Sequence, residues 1–237
     1  KGYGTDRRIL FQEADVKLLR NEIRGIEYIS PEYSNWDAPL RVGKKVRNPN
    51  VTGVIPEYSD MRNVYPREGS RFINHNDLKH RRRVIFLGNA LAEYLYGERD
   101  PVGEEITVGN FLFTVIGVMK EKAQDSNYNG SDEDRAYIPA STFKTIFGHR
   151  YLSNIVLKPA DPRQSPRIQD RLYEVLGKKY IFDPADKEAL SIWDTTEFQK
   201  MILYVFLGFN IFMTIIGLFT LTVGGIGVAN IMYVVVQ

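Results

Sequence analysis

The 237 residues predict an α+β fold in two parts: an interrupted strand–helix unit that carries a mixed α/β insertion, then one long apolar helix. Three observations predict it. A helix–strand pattern near the start and a strand–helix pattern near residues 154–178 flank a denser middle third, so one α+β unit is interrupted by another. No segment repeats at a fixed period, which removes solenoids and propellers. All 31 Lys+Arg and 29 Asp+Glu lie within residues 1–200, and residues 201–237 carry none.

The elements follow in order. Phe11–Glu22 spaces Phe11, Ala14, Val16, Leu18 and Leu19 among charges and reads as a short amphipathic helix, closed by Gly25. Ile26–Ser30 has strand character and is expected to stop before Pro31. Leu40–Val46 alternates weakly and is expected to pair as a hairpin with a strand at Val51–Ile55. Val84–Leu87 is an apolar strand, and Gly88-Asn89 leads into a helix over Ala90–Tyr96 that Gly97 closes. Glu105–Val108 and Phe111–Met119 are strands joined by Gly109-Asn110, a two-residue loop that tolerates positive φ. Gln124–Asp134 is a polar loop, followed by a strand at Ala136–Pro139 and a helix over Ser141–Phe147. Asn154–Lys158 is a strand, and Ser165–Lys178 is a helix with Ile168, Leu172, Val175 and Leu176 on one face. Tyr180–Phe182 and Leu190–Trp193 are expected strands around an Asp183-Pro184 turn, and a helix begins at Thr195.

Composition excludes several functions. Without Cys there is no disulfide framework, thiolate nucleophile or Cys-ligated metal. A net charge of +2 argues against a nucleic-acid partner. No GxxxxGK[ST] phosphate loop, HExxH pair or GxSxG elbow occurs, so no catalytic residue, cofactor or metal site is expected, and the chain is not expected to be an enzyme. Glu104/Glu105 and Asp132/Glu133/Asp134 read as solvated surface, and the basic run Lys79-His80-Arg81-Arg82-Arg83 reads as a charged loop before Val84, with anionic lipid or a partner as the alternative.

At about 1.5 Å per residue, Ile202–Val236 runs roughly 52 Å as a helix against about 30 Å of hydrocarbon, so it is expected to span a membrane with length to spare. The chain starts at Lys1 and stops one residue after this run, and it is read as a piece of a longer membrane protein. Gly217 and Gly224 lie seven residues apart on nearly one face, and Gly225 with Ala229 forms a small-xxx-small pair beside it; with Gly227 these are the expected helix-packing residues. The surplus length is expected to form a stalk from Thr195 through Gln199 and Leu203.

Several segments together resemble a known family. They are Gly53-Val54-Ile55-Pro56-Glu57-Tyr58, Arg71-Phe72-Ile73 with Asp77, Arg83-Val84-Ile85-Phe86-Leu87-Gly88, Leu95-Tyr96-Gly97 with Asp100-Pro101-Val102-Gly103, Phe113-Thr114-Val115-Ile116-Gly117-Val118 and Tyr137-Ile138-Pro139. In this order they resemble the periplasmic core domain of MacB-type ABC permeases. Gly224-Gly225-Ile226-Gly227-Val228-Ala229-Asn230-Ile231-Met232 resembles the start of the FtsX-like permease domain. One departure is Ser70-Arg71-Phe72 where the family usually has Gly-Arg-Phe, with Gly69 one position earlier.

The resemblance implies a discontinuous porter-like subdomain (residues 1–66 and 150–194), an inserted subdomain (67–149), and a stalk and second transmembrane helix (195–237). It implies an extracytoplasmic domain, residues 1 to about 205, of a bacterial inner-membrane permease. That permease would act as a homodimer or heterodimer with a fused or separate ABC ATPase, and with a periplasmic adaptor in some assemblies. A membrane-tethered sensor or ligand-binding module is the alternative. No residue selects a substrate.

Overall fold

The computed structural model describes residues 9–122 and 129–235; the side chains of residues 196–200, 230, 234 and 235 fall outside that description. The chain divides into two units, Lys1–Ala189 and Leu190–Gln237.

The first unit is built on helices α1 (Glu13–Glu22), α2 (Tyr58–Arg62), α3 (His75–Lys79), α4 (Asn89–Tyr96), α5 (Ala140–Phe147) and α6 (Ser165–Tyr180). Its strands are β1 (Ile26–Asn35), β2 (Leu40–Val42), β3 (Lys45–Arg47), β4 (Val51–Val54), β5 (Val84–Leu87), β6 (Glu105–Val108), β7 (Phe111–Val118), β8 (Ala136–Pro139) and β9 (Asn154–Pro159). They form one mixed sheet in the order β3-β2-β6-β7-β5-β8-β4-β1-β9. β4 with β8 and β5 with β7 are parallel, and the other pairs are antiparallel. β2 and β4, from the first segment of the chain, pair with β6 and β8 of the middle third.

The central strands are buried on both faces, which is why β5 reads as the unbroken run Val-Ile-Phe-Leu. With the period of two, Ile85 and Leu87 enter one cluster with Leu91, Leu95 and Phe143, while Val84 and Phe86 enter the opposite one with Tyr58, Ile73 and Tyr137. The helix α5 approaches β4 so closely that a Cβ on Gly53 would lie 2.7 Å from Phe143. Gly97, at φ +67°, ends α4 as the sequence requires.

Four expectations change. β1 does not stop at Pro31 but runs to Asn35. Glu32 O accepts from Ser153 N–H on the β9 side, so alternation turns Pro31 to the other edge, where pairing with β4 begins only at Tyr33 and no ladder bond is lost. The hairpin closes within residues 40–47, through Gly43 at φ +56°, and not against residues 51–55, because β4 is claimed by β1 and β8. Tyr180–Phe182 is no strand: α6 continues to Tyr180, Ile181 takes the left-handed conformation at φ +56°, and Phe182 N–H closes onto Gly177 O. Leu190–Trp193 also carries no strand.

The second unit is dominated by α7 (Thr195–Val235), one helix of 41 residues, about 60 Å long. Its Met201–Tyr233 stretch has a mean hydropathy of 2.2, and its most apolar part is exposed.

Candidate functional site

The α7 helix begins in a charged flank and continues without a break into the apolar stretch. Thr214, Thr220 and Thr222 donate their hydroxyls to the carbonyls of Asn210, Ile216 and Leu218 at 2.8, 2.9 and 2.7 Å. Each of these three hydroxyls is thus satisfied inside the helix, as a nonpolar surrounding demands. The side chains that face outward are Leu203, Phe206, Phe209, Phe212, Leu218 and Phe219 among others, each more than half exposed. A core helix of a water-soluble fold would have buried them.

The predicted packing residues lie on this helix. A Cβ added at Gly217, Gly224, Gly225 or Gly227 meets nothing within 4 Å, so these positions form open notches on the helix surface. Ala229 lies on the same stretch. Of the stalk residues, Thr195 opens the helix and Leu203 is 67% exposed, while the Gln199 side chain lies outside the described residues.

In the first unit, the carboxylates of Asp132 and Asp15 are buried and paired. The carboxylate of Asp132 is 1% exposed and takes Arg62 at 3.2 Å, Lys122 at 2.8 Å and the Tyr137 hydroxyl at 3.2 Å, with Arg135 at 3.8 Å. Burial alone raises the Asp132 carboxyl, but these cations outweigh it and hold it below the ordinary carboxylate range. Beside it, Glu32 accepts from the Tyr58 hydroxyl at 2.7 Å and from Asn154 at 3.1 Å. Burial first, and then the Glu32 and Asp132 charges, push the Tyr58 and Tyr137 hydroxyls well above their usual range, so both stay neutral donors.

The sequence reading of residues 132–134 as solvated surface therefore fails at Asp132, although Glu133 and Asp134 are exposed. Arg62 lies 70 positions away, so no local spacing points to the pair. A second buried carboxylate, Asp15, accepts from Lys179 at 2.5 Å and Tyr180 at 2.6 Å, fastening α6 to α1. Among the described residues, no group of three His, Cys, Asp or Glu is placed to hold a metal ion. Glu104, Glu105 and residues 79–83 are exposed, as read from the sequence.

Comparison with known proteins gives concordant results. The family model described as MacB-like periplasmic core domain matches residues 2–175. The chain is 30% identical over 229 residues to the macrolide export ATP-binding/permease protein MacB of Bdellovibrio bacteriovorus, covering 96% of this chain and 35% of that protein. Against the protein of the same name from Escherichia coli K12 it is 29% identical over 187 residues, covering 78% of this chain and 28% of that protein. The chain thus spans about a third of the length of these relatives. Among solved structures, the periplasmic region of MacB from Actinobacillus actinomycetemcomitans superposes with a TM-score of 0.67 at 21% identity, over 85% of this chain and 88% of that one. The extracellular domain of the ABC-type transporter YknZ from Gram-positive bacteria gives 0.63 at 22% identity, over 74% and 87%. Both likenesses concern the fold.

Proposed function

The chain belongs to the MacB-like periplasmic core domain family, and from that premise we propose that it is the extracytoplasmic domain and following transmembrane helix of an ABC transporter permease. In this reading it carries no active site. It couples cytosolic ATP hydrolysis, performed by a fused or separate ATPase, to movement of the outer domain. The observation that carries the proposal is the continuity of α7, 41 residues from Thr195 to Val235. A hydrocarbon core of about 30 Å takes up only about 20 residues, so the same helix also reaches outside it. A helix unbroken across that boundary transmits tilt as a rigid body, which a flexible joint would absorb.

The assembly so formed sits in the bacterial inner membrane, with residues 1 to about 205 outside the cytoplasm. Its porter-like part comprises residues 1–66 and 150–194, and its inserted part 67–149. A second permease copy, identical or related, packs against the notches at Gly217, Gly224, Gly225, Gly227 and Ala229, where backbones approach closely. An extracytoplasmic adaptor completes it where one is present. Because the curated relatives are named for macrolide export, macrolide efflux is the first transport activity to measure.

The test is a Gly-Gly insertion after Gln199 in the complete transporter. ATP hydrolysis should continue at near wild-type rate while efflux falls at least about tenfold, since Gly residues in a helix interior loosen it. Efflux at the wild-type level from the inserted variant overturns the reading.

A further inference from the structure

The basic run left unused by the transport reading is held in an ordered mount. The short helix α3 is closed at its start by reciprocal bonds, Asp77 N–H to the Asn74 side chain and Asn74 N–H to the Asp77 carboxylate, both 3.0 Å. At its end His80 N–H returns to Asn76 O at 3.0 Å and Arg82 N–H to Asp77 O at 2.9 Å. Arg81 occupies the left-handed conformation there, at φ +49°, where Gly is the usual residue. Two hydroxyls of α5 then clamp the loop: Ser141 donates to Leu78 O at 2.6 Å and Thr142 to Arg82 O at 2.8 Å.

The charges on this mount are unbalanced. Asp77, fully buried, is the only acid between residues 71 and 83, and it is engaged by Arg71 at 2.6 Å and faces Arg82 at 3.8 Å. Lys79, Arg81 and Arg83 are exposed, and none makes an ion pair among the described residues. The Arg83 guanidinium carbon lies over the Phe111 ring, 5.7 Å from its centre, a cation–π contact. The other basic cluster on the sheet, at β3, behaves differently: Lys45 donates to Tyr94 O at 2.8 Å, and Arg47 lies over the Tyr94 ring near Asp134. That cluster spends its charge within the fold, and Lys-rich edge strands are a known protection against unwanted pairing.

We propose that the Lys79–Arg83 turn is a docking site for an acidic protein segment, with Lys79, Arg81 and Arg83 receiving Asp or Glu carboxylates. Guanidiniums held on a rigid turn suit the paired oxygens of a carboxylate. A five-residue turn on an ordered mount offers a compact target, unlike the polybasic segments that spread along an anionic membrane. The proposal stands independently of the transport reading, because it rests on the mount and on the unpaired charges alone.

The test uses the full chain in detergent and a fluorescent peptide alternating Glu with Gly as the probe. The variant Lys79→Glu/Arg81→Glu/Arg83→Glu is compared with Arg24→Glu/Lys44→Glu/Arg150→Glu, which makes the same change in net charge at scattered exposed sites. Wild-type binding should weaken steeply with salt. The first triple should lose about tenfold or more in affinity and the second less than about twofold, as expected where charge placement and not total charge sets recognition. A thermal melt of each variant reports folding, and Lys79→Ala/Arg81→Ala/Arg83→Ala replaces the Glu triple if that one fails to fold. Equal losses from the two Glu triples, or no peptide binding by the wild type, overturn the proposal. So does displacement of the peptide by soluble short-chain phosphatidylglycerol but not by free acidic peptide, which would make the turn a lipid site.

Discussion

Within Lys1–Ala189, Asp132 lies 1% exposed with Arg62, Lys122 and Arg135 around it, and Asp15 is buried with Lys179 and Tyr180. Between Met201 and Tyr233 there is no charge at all, and exposed Phe and Leu side chains project outward from Leu203 to Leu221. One region is held by charges drawn inside and paired; the other satisfies its threonine hydroxyls locally and leaves its apolar surface to its surroundings. The two surfaces suit different solvents. A paired buried ion contributes little net stability but is costly to orphan. In hydrocarbon a new charge has no partner and no water. The same kind of substitution should therefore have effects of different size in the two regions.

The largest effect is expected at the ionic cluster. Asp132→Ala leaves three cations without their carboxylate and should cost about 3–5 kcal/mol, read as a fall in the denaturation midpoint of the first unit. The folded Asp132 carboxyl titrates below its unfolded value. Its contribution is thus present above about pH 4 and is lost as the pH falls through the folded value. The conservative Asp132→Asn variant should flatten the acid limb of the stability curve.

Next in size is a charge placed mid-helix. Phe219→Arg should cost about 2.5–3.5 kcal/mol in membrane insertion, measured as the fraction resisting alkaline extraction. Leu112→Arg, on an exposed position of β7, should change stability by less than about 0.5 kcal/mol. If both behave alike, the two-solvent contrast is wrong.

The mildest comparison uses one methyl group. A Cβ at Gly88 would lie 2.2 Å from Glu133 O, so Gly88→Ala must move backbone and should cost about 1–3 kcal/mol. At Gly217 the added methyl meets nothing, so Gly217→Ala should leave the stability of this chain unchanged and weaken only association with another helix, read by cross-linking in membranes.

These contrasts also explain what the sequence discloses. Helices α4, α6 and α7 are legible because their signals are local: Gly97 after the last apolar turn, the Ile168–Val175 spacing, and a charge-free run too long for one crossing. The α+β class and the strands from β5 to β9 follow in the same way. Long-range choices do not. Whether residues 51–54 pair with 40–46 or with β1 and β8 depends on competition among strands remote in sequence. The end of β1 depends on Pro31, which pairing with β9 carries within the strand, and the end of α6 on Ile181, a β-branched residue in the left-handed conformation where Gly is the usual signal. The buried Asp132 is hidden by its sequence neighbours, since Glu133 and Asp134 are solvated and make the trio look like surface. The short helices α2 and α3, five residues each, carry too few positions for a helical period to show.

The central claim, that a charged outer unit is joined to a membrane-crossing helix, is tested most directly by cysteine accessibility, because the chain has no Cys of its own. Single cysteines at Lys44, Thr195, Gly217 and along Met201–Tyr233 are exposed, in intact cells, to a thiol reagent that cannot cross the inner membrane. The account predicts rapid labelling at Lys44 and Thr195, then a continuous protected stretch of about 20 residues that includes Gly217. Labelling at Gly217 as fast as at Lys44, or protection of Lys44 until the membrane is broken, would contradict it.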